Sequence, residues 1–259
     1  MNLNIIGSGL RGTRSITLEQ KDVLMKSDRI FVDSYTSIFE PNFAADLEEI
    51  TGRPPVILDR EGVESFSFLD SGFEVGSFIV SGDPFTSTTH YAIMNECRTR
   101  GIGCRIYENA SITGSIPGRT GLSPYRTGIV VSIPRISANF VPVSPVMKII
   151  SNIDNGLHTT LLIDLDSGKN MDSSVLLETL TAMTEKAGIE ALTARPAISL
   201  ERLGWSDEQV NLNFLGKILE NDLKSPYSIV IPSKPDSNEL ENMRGIFGHN
   251  AVNNTFGMF

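Results

Sequence analysis

The stretch that most limits the fold of this chain is Phe78-Ile79-Val80-Ser81-Gly82-Asp83-Pro84, followed by Phe85-Thr86-Ser87-Thr88-Thr89-His90. The run from Phe78 to Val80 is short, apolar and partly β-branched, as a buried strand requires. Gly82, Asp83 and Pro84 are turn formers that stop the ladder. Ser87 or Thr88 then serves as N-cap of a helix that carries Ala92, Ile93 and Cys97 on one side and ends at Gly101. Where a strand end feeds a helix start, unpaired N–H groups and the positive end of the helix dipole face a crevice, and open α/β sheets bind ligands there. The turn therefore predicts a bound ligand, anchored by Asp83.

The same rhythm of strand and helix extends in both directions. Strands are expected over residues 3–6, 29–32, 56–58 and 105–107, with helices opening at the capping box Thr17-Leu18-Glu19-Gln20, over 44–50 and from about 67. Residues 109–118 are rich in small hydrogen-bonding side chains and read as a loop and a domain boundary, because the alternation restarts after them. The second half gives strands over 129–133, 159–165, 197–200 and 228–231. Its helices carry Val146, Ile149, Ile150 and Ile153, then Leu176, Leu180, Met183 and Ala187, then residues 212–223, and finally Leu240, Met243 and Phe247. Residues 249–259 read as a loose tail. The expectation is two consecutive α/β domains, 1–108 and 109–259, and a chain of 259 residues is long enough to bury a core in each.

Gly7-Ser8-Gly9-Leu10-Arg11-Gly12 follows the first strand in the G-x-G-x-x-G spacing of dinucleotide-binding folds, with Asp33 at the separation of a ribose-binding acid. That fingerprint places its last glycine at the start of the helix, whereas the capping box at Thr17 starts this helix later. The other reading is a glycine loop that lets the chain turn closely over the sheet. Asp33-Ser34-Tyr35-Thr36-Ser37 lies at a second strand end and suits either a ligand or ordinary turn chemistry.

A net charge of -9 leaves no concentrated basic surface for a nucleic-acid backbone. It favours a cationic substrate or partner, or serves solubility alone. Cys97 and Cys104 have neither zinc nor disulfide spacing. No secretory leader or membrane-length apolar run is present, so a cytoplasmic location is expected. His90, His158 and His249 lie in no catalytic motif and read as cap, packing or tail residues. No catalytic residue is assigned. Small polar loops at strand ends suit a polar organic cofactor gripped through backbone groups, and methyl transfer from a sulfonium is one reaction that fits.

Taken together, Ile6-Gly7-Ser8-Gly9-Leu10, Tyr35-Thr36-Ser37, Gly82-Asp83-Pro84 with Thr88-Thr89-His90, Ser111-Ile112, Thr120-Gly121-Leu122, Gly156-Leu157-His158-Thr159 and Ile231-Pro232 with Lys234 are recognisable. In this order they resemble the diphthine synthases, a branch of the tetrapyrrole methylase family of S-adenosylmethionine-dependent methyltransferases. The resemblance implies a cofactor cleft between the two domains, with Leu10, Asp83, Thr86, Ser111, Ile112, Ile163, Leu203 and Tyr227 as S-adenosylmethionine contacts. It further implies a homodimer, and a substrate in translation elongation factor 2: the amino group of its 3-amino-3-carboxypropyl-histidine. Asp33 and Tyr35 are the side chains weighed as general base, beside water. The rival acceptors are a corrin precursor and a ribosomal RNA nucleotide, and the rival class is a non-catalytic dinucleotide-binding module.

Overall fold

A computed structural model describes the chain except for Ser87, Thr89, Ser167, Met258 and Phe259, and for the side chain of Asp166. The N-cap expected at Ser87 lies outside the described residues, and its alternative, Thr88, does not cap the helix, which opens at Tyr91 with His90 in the cap position. The chain divides into two compact units, residues 1–114 and 115–259.

The first unit contains β1 (Asn2–Gly7), α1 (Leu18–Lys26), β2 (Arg29–Asp33), α2 (Phe43–Thr51), β3 (Val56–Leu58), α3 (Arg60–Glu64), β4 (Val75–Val80), α4 (Tyr91–Thr99) and β5 (Gly103–Tyr107). Its sheet has the order β3-β2-β4-β1-β5, and every neighbouring pair is parallel. Successive side chains on a strand point to opposite faces, so each face is covered separately. Leu3, Ile5, Phe31 and Phe78 pack with Ile93 and Cys97 on one side, while Ile6, Ile30, Val32 and Ile79 meet Leu24 and Leu47 on the other. The rings of Phe31, Phe68 and Phe78 stand 5.1 and 5.4 Å apart in sequence of contact, and burying each contributes roughly 1.5–3 kcal/mol. With all strands parallel, the loops after β1, β2, β4 and β5 gather along one edge.

α5 (Ile112–Thr120) runs across the division. The second unit then contains β6 (Val131–Ile133), α6 (Ser144–Asp154), β7 (Thr159–Ile163), β8 (Leu165–Asp166), β9 (Lys169–Asn170), α7 (Ser173–Ala187), β10 (Pro196–Glu201), β11 (Gln209–Phe214), α8 (Leu215–Leu219), β12 (Tyr227–Ile231), α9 (Ser237–Phe247) and α10 (His249–Phe256). Its main sheet has the order β11-β10-β12-β7-β6 and is antiparallel except between β6 and β7. Val146 and Ile149 of α6 and Leu176, Leu180 and Met183 of α7 bury against Leu161, Ile229 and Ile231 of the sheet.

Four further expectations fail here for physical reasons. Residues 109–118 are not a loop throughout: the Ser111 hydroxyl accepts the Gly114 N–H at 3.3 Å, and α5 forms with Pro117 inside it. Residues 212–223 are not one helix, because the alternation in Gln209–Phe214 belongs to edge strand β11, and only Leu215–Leu219 is helical. The tail is a helix as far as Phe256, held by the fully buried Val252, with Gly248 breaking it from α9. The helix expected from about residue 67 is a single 3₁₀ turn, Ser67–Asp70, and α3 precedes it.

Candidate functional site

The strand-end loops of the first unit converge on the Gly82 turn. Gly9 and Gly82 form an isolated antiparallel bridge, Gly9 N–H donating to the Gly82 carbonyl at 3.0 Å and Gly82 N–H to the Gly9 carbonyl at 2.9 Å. This contact needs glycine beneath it. A Cβ on Gly7 would strike the Gly82 carbonyl and come within 2.8 Å of Pro84 Cδ, and Gly82 itself has φ +73°. The glycine loop is braced from behind by Gln20, whose amide donates to the carbonyls of Gly7 at 3.0 Å and Glu108 at 3.1 Å, and by Asn109, which donates to Gly7 at 3.0 Å and Ser15 at 2.9 Å. Neither role was assigned from the sequence. The signal for Gln20 was its place at the third helical position of the Thr17 capping box, where both reciprocal bonds are present.

Asp83 Oδ1 accepts from the Phe85 amide at 2.9 Å and the Thr86 hydroxyl at 3.2 Å, a local turn that fixes the carboxylate. Oδ2 accepts no hydrogen bond among the described residues, and the side chain is only partly buried. Leu10, Thr86, Ser111 and Ile112 are likewise partly exposed. Leu10 follows the Gly9 bridge, and Ser111 Cα lies 3.9 Å from where a Gly82 Cβ would stand. Five of the expected contacts, Leu10, Asp83, Thr86, Ser111 and Ile112, thus lie on neighbouring loops of one unit.

The other three sit in the second unit, where Asn170 ties two of them together. Its side chain donates to the Ile163 carbonyl at 2.9 Å and accepts the Tyr227 N–H at 2.8 Å. Tyr227 is buried, its hydroxyl donates to the Met171 carbonyl at 2.7 Å, and burial raises its pKa. Leu203 follows Arg202, which has φ +48° and is held there by its N–H bond to the Pro226 carbonyl, its stacking on Trp205 and its ion pair with Asp207.

Asp33 proves unsuited to the role of base. It is fully buried, and Oδ1 accepts the amides of Tyr35 and Thr36 at 2.7 and 3.1 Å. Oδ2 receives the Thr36 hydroxyl, faces His90 Nε2 at 3.3 Å, and is 3.4 Å from the Ser37 hydroxyl. Burial by itself would raise its pKa, but the bonds from His90 and Thr36 outweigh that and hold it below the ordinary value. Tyr35 lies under the Arg60 guanidinium, 5.2 Å from the ring centre. The dinucleotide fingerprint also fails in its local structure, since Gly12–Ser15 is a 3₁₀ turn and α1 starts only after Thr17. Among the described residues no cluster of His, Cys, Asp and Glu could hold a metal ion, and no helix is long and apolar enough to cross a membrane.

This arrangement fits a ligand that offers hydroxyl or ammonium hydrogens to a carboxylate and lies close over glycine backbone. Comparison with known proteins gives the class. Residues 2–219 match the model of the tetrapyrrole (corrin/porphyrin) methylases, and the chain belongs to that family and is a methyltransferase. Within it, the chain is 39% identical over 238 residues, covering 92% of both chains, to the diphthine synthase of Thermoplasma acidophilum. It is also 31% identical to the diphthine methyl ester synthase of Saccharomyces cerevisiae, across 92% of this chain and 86% of the other. A crystal structure of a diphthine synthase superposes with a TM-score of 0.81 at 27% identity, covering 95% of this chain and 96% of that one.

Proposed function

We propose that this chain transfers methyl groups from S-adenosylmethionine to the amino nitrogen of the 3-amino-3-carboxypropyl-histidine of translation elongation factor 2, giving diphthine. The observation that carries the reading is the half-committed Asp83 carboxylate on a glycine-supported turn, in a chain whose relatives are diphthine synthases. Leu10, Thr86, Ser111 and Ile112 would line the same ligand, and Ile163, Leu203 and Tyr227 are proposed as further cofactor contacts. When bound, S-adenosylmethionine supplies a sulfonium methyl carbon open to displacement by an amine. The chain's part is placement: Asp83 Oδ2 accepts ligand hydrogens, and the carboxylate is held by its own turn before the ligand arrives, so little ordering cost remains. The attacking amine must first lose a proton, which we assign to solvent water because Asp33 is sealed from it. The enzyme would work as a homodimer in the cytoplasm, where its protein substrate is.

One observation favours a second product: a yeast relative is named for a methyl ester. Transfer of labelled methyl from S-adenosylmethionine to elongation factor 2 bearing the unmethylated side chain tests both readings. Label that resists mild base marks N-methylation, whereas label released by base marks an ester. Label incorporated only into a corrin precursor would overturn the proposal.

A further inference from the structure

His90 and the Asp33–Ser37 loop, singled out in the sequence but given no part in holding the ligand, meet behind the Gly82 turn. His90 is 2% exposed, and its ring stands edge-on to Phe78 at 5.4 Å. Nδ1 lies 2.8 Å from the Pro84 carbonyl. A carbonyl only accepts, so Nδ1 carries a proton and donates it. On the other side of the ring, Nε2 faces Asp33 Oδ2 and Thr36 Oγ1, each at 3.3 Å. Asp33 is itself fastened by the amides of Tyr35 and Thr36, and the Ser81 amide donates to the Ser37 hydroxyl at 3.0 Å. A chain of buried polar contacts therefore runs from the loop after β2, through the imidazole, to the residue beside Asp83.

We infer that His90 is a positioning residue for the methyl-donor site: its Nδ1–H bond to the Pro84 carbonyl fixes the turn that aims Asp83, and Asp33 fixes the ring. The inference rests on the reading of the Gly82 turn as the cofactor site. A ring this buried touches no substrate, so a direct role in the reaction is excluded. The two nitrogens do different work, and conservative amides separate them. Asn places its amide nitrogen where Nδ1 stands and can keep the Pro84 bond, whereas Gln places it where Nε2 stands and keeps only the Asp33 side.

The test is calorimetric titration of S-adenosylmethionine into wild type, His90→Asn and His90→Gln, with thermal midpoints measured alongside. Loss of one buried hydrogen bond that orients the site is expected to weaken cofactor binding by about tenfold in His90→Gln, while His90→Asn stays within about threefold of wild type. The kcat of both at saturating cofactor is expected to stay near the wild-type value. A purely structural histidine would lower both midpoints and leave the affinity of the folded protein unchanged in both variants, which would overturn the inference. Wild type that takes up no S-adenosylmethionine would overturn the site assignment and this inference with it; normal uptake by wild type and by His90→Gln would overturn the inference alone.

Discussion

Asp83 gives one carboxylate oxygen to its own turn, and among the described residues the other has no partner, which suits the proposed ligand role. Replacing it by Ala removes both, and a lost charge-assisted bond of about 1.5–3 kcal/mol corresponds to S-adenosylmethionine affinity reduced by at least about tenfold in a titration. Unchanged affinity would remove Asp83 from the site. Gly7→Ala forces a methyl into the Gly82 carbonyl and Pro84 ring. Overpacking of this kind costs roughly 1–3 kcal/mol, measurable as a lower denaturant midpoint, and cofactor affinity is expected to fall because the same carbonyl bonds the Gly9 amide. The Gly82 turn itself was legible because turn chemistry is local: Gly82, Asp83 and Pro84 announce themselves within three positions. Gln20 and Asn109 were not legible as supports. Their bonds to Gly7 span 13 and 102 positions, and nothing in the sequence near Asn109 points to Gly7.

At the scale of elements, the second unit is clamped by a buried cluster linking β7, α9 and the segment around Arg126. His158 Nδ1 accepts the Ser233 N–H at 3.1 Å, and Nε2 lies 2.8 Å from Glu239 Oε1. The second Glu239 oxygen takes Arg126 and the Asp236 amide. Because Nδ1 is already an acceptor, protonating the ring breaks a bond, and burial lowers the His158 pKa below 6.5. The unfolded chain then binds a proton that the folded chain refuses. Stability is expected to fall as pH drops below about 6.5, down to the folded pKa. Denaturant midpoints at steps between neutral and mildly acid pH test this, and His158→Gln is expected to flatten the slope there. Glu239 has the usual carboxylate sign: its burial opposes ionisation, but the amides of Ser123 and Asp236 hold its pKa below 4.5, and that contribution is lost only in stronger acid.

Strands with both faces buried, such as β1, β4 and β12, could be read directly from their apolar runs. The edge strand β11 was missed despite its alternation, because Asn211 and Asn213 are poor strand formers and the short helix α8 follows without a break. Nor could α10 be read, which meets α9 and β11 and whose one buried side chain is Val252. Val252→Ala is expected to cost about 2 kcal/mol by removing buried methyl groups and leaving a cavity, read as a lower denaturant midpoint.

For the molecule as a whole, the acidic balance of -9 disfavours a nucleic-acid substrate and suits a cationic one. The most direct measurement is the intact mass of elongation factor 2, carrying the unmethylated 3-amino-3-carboxypropyl-histidine, after incubation with this chain and S-adenosylmethionine. Discrete methyl increments on that side chain are expected with wild type, and their loss with Asp83→Ala. An unchanged mass, under conditions where titration finds the cofactor bound, would contradict the proposed methyl transfer.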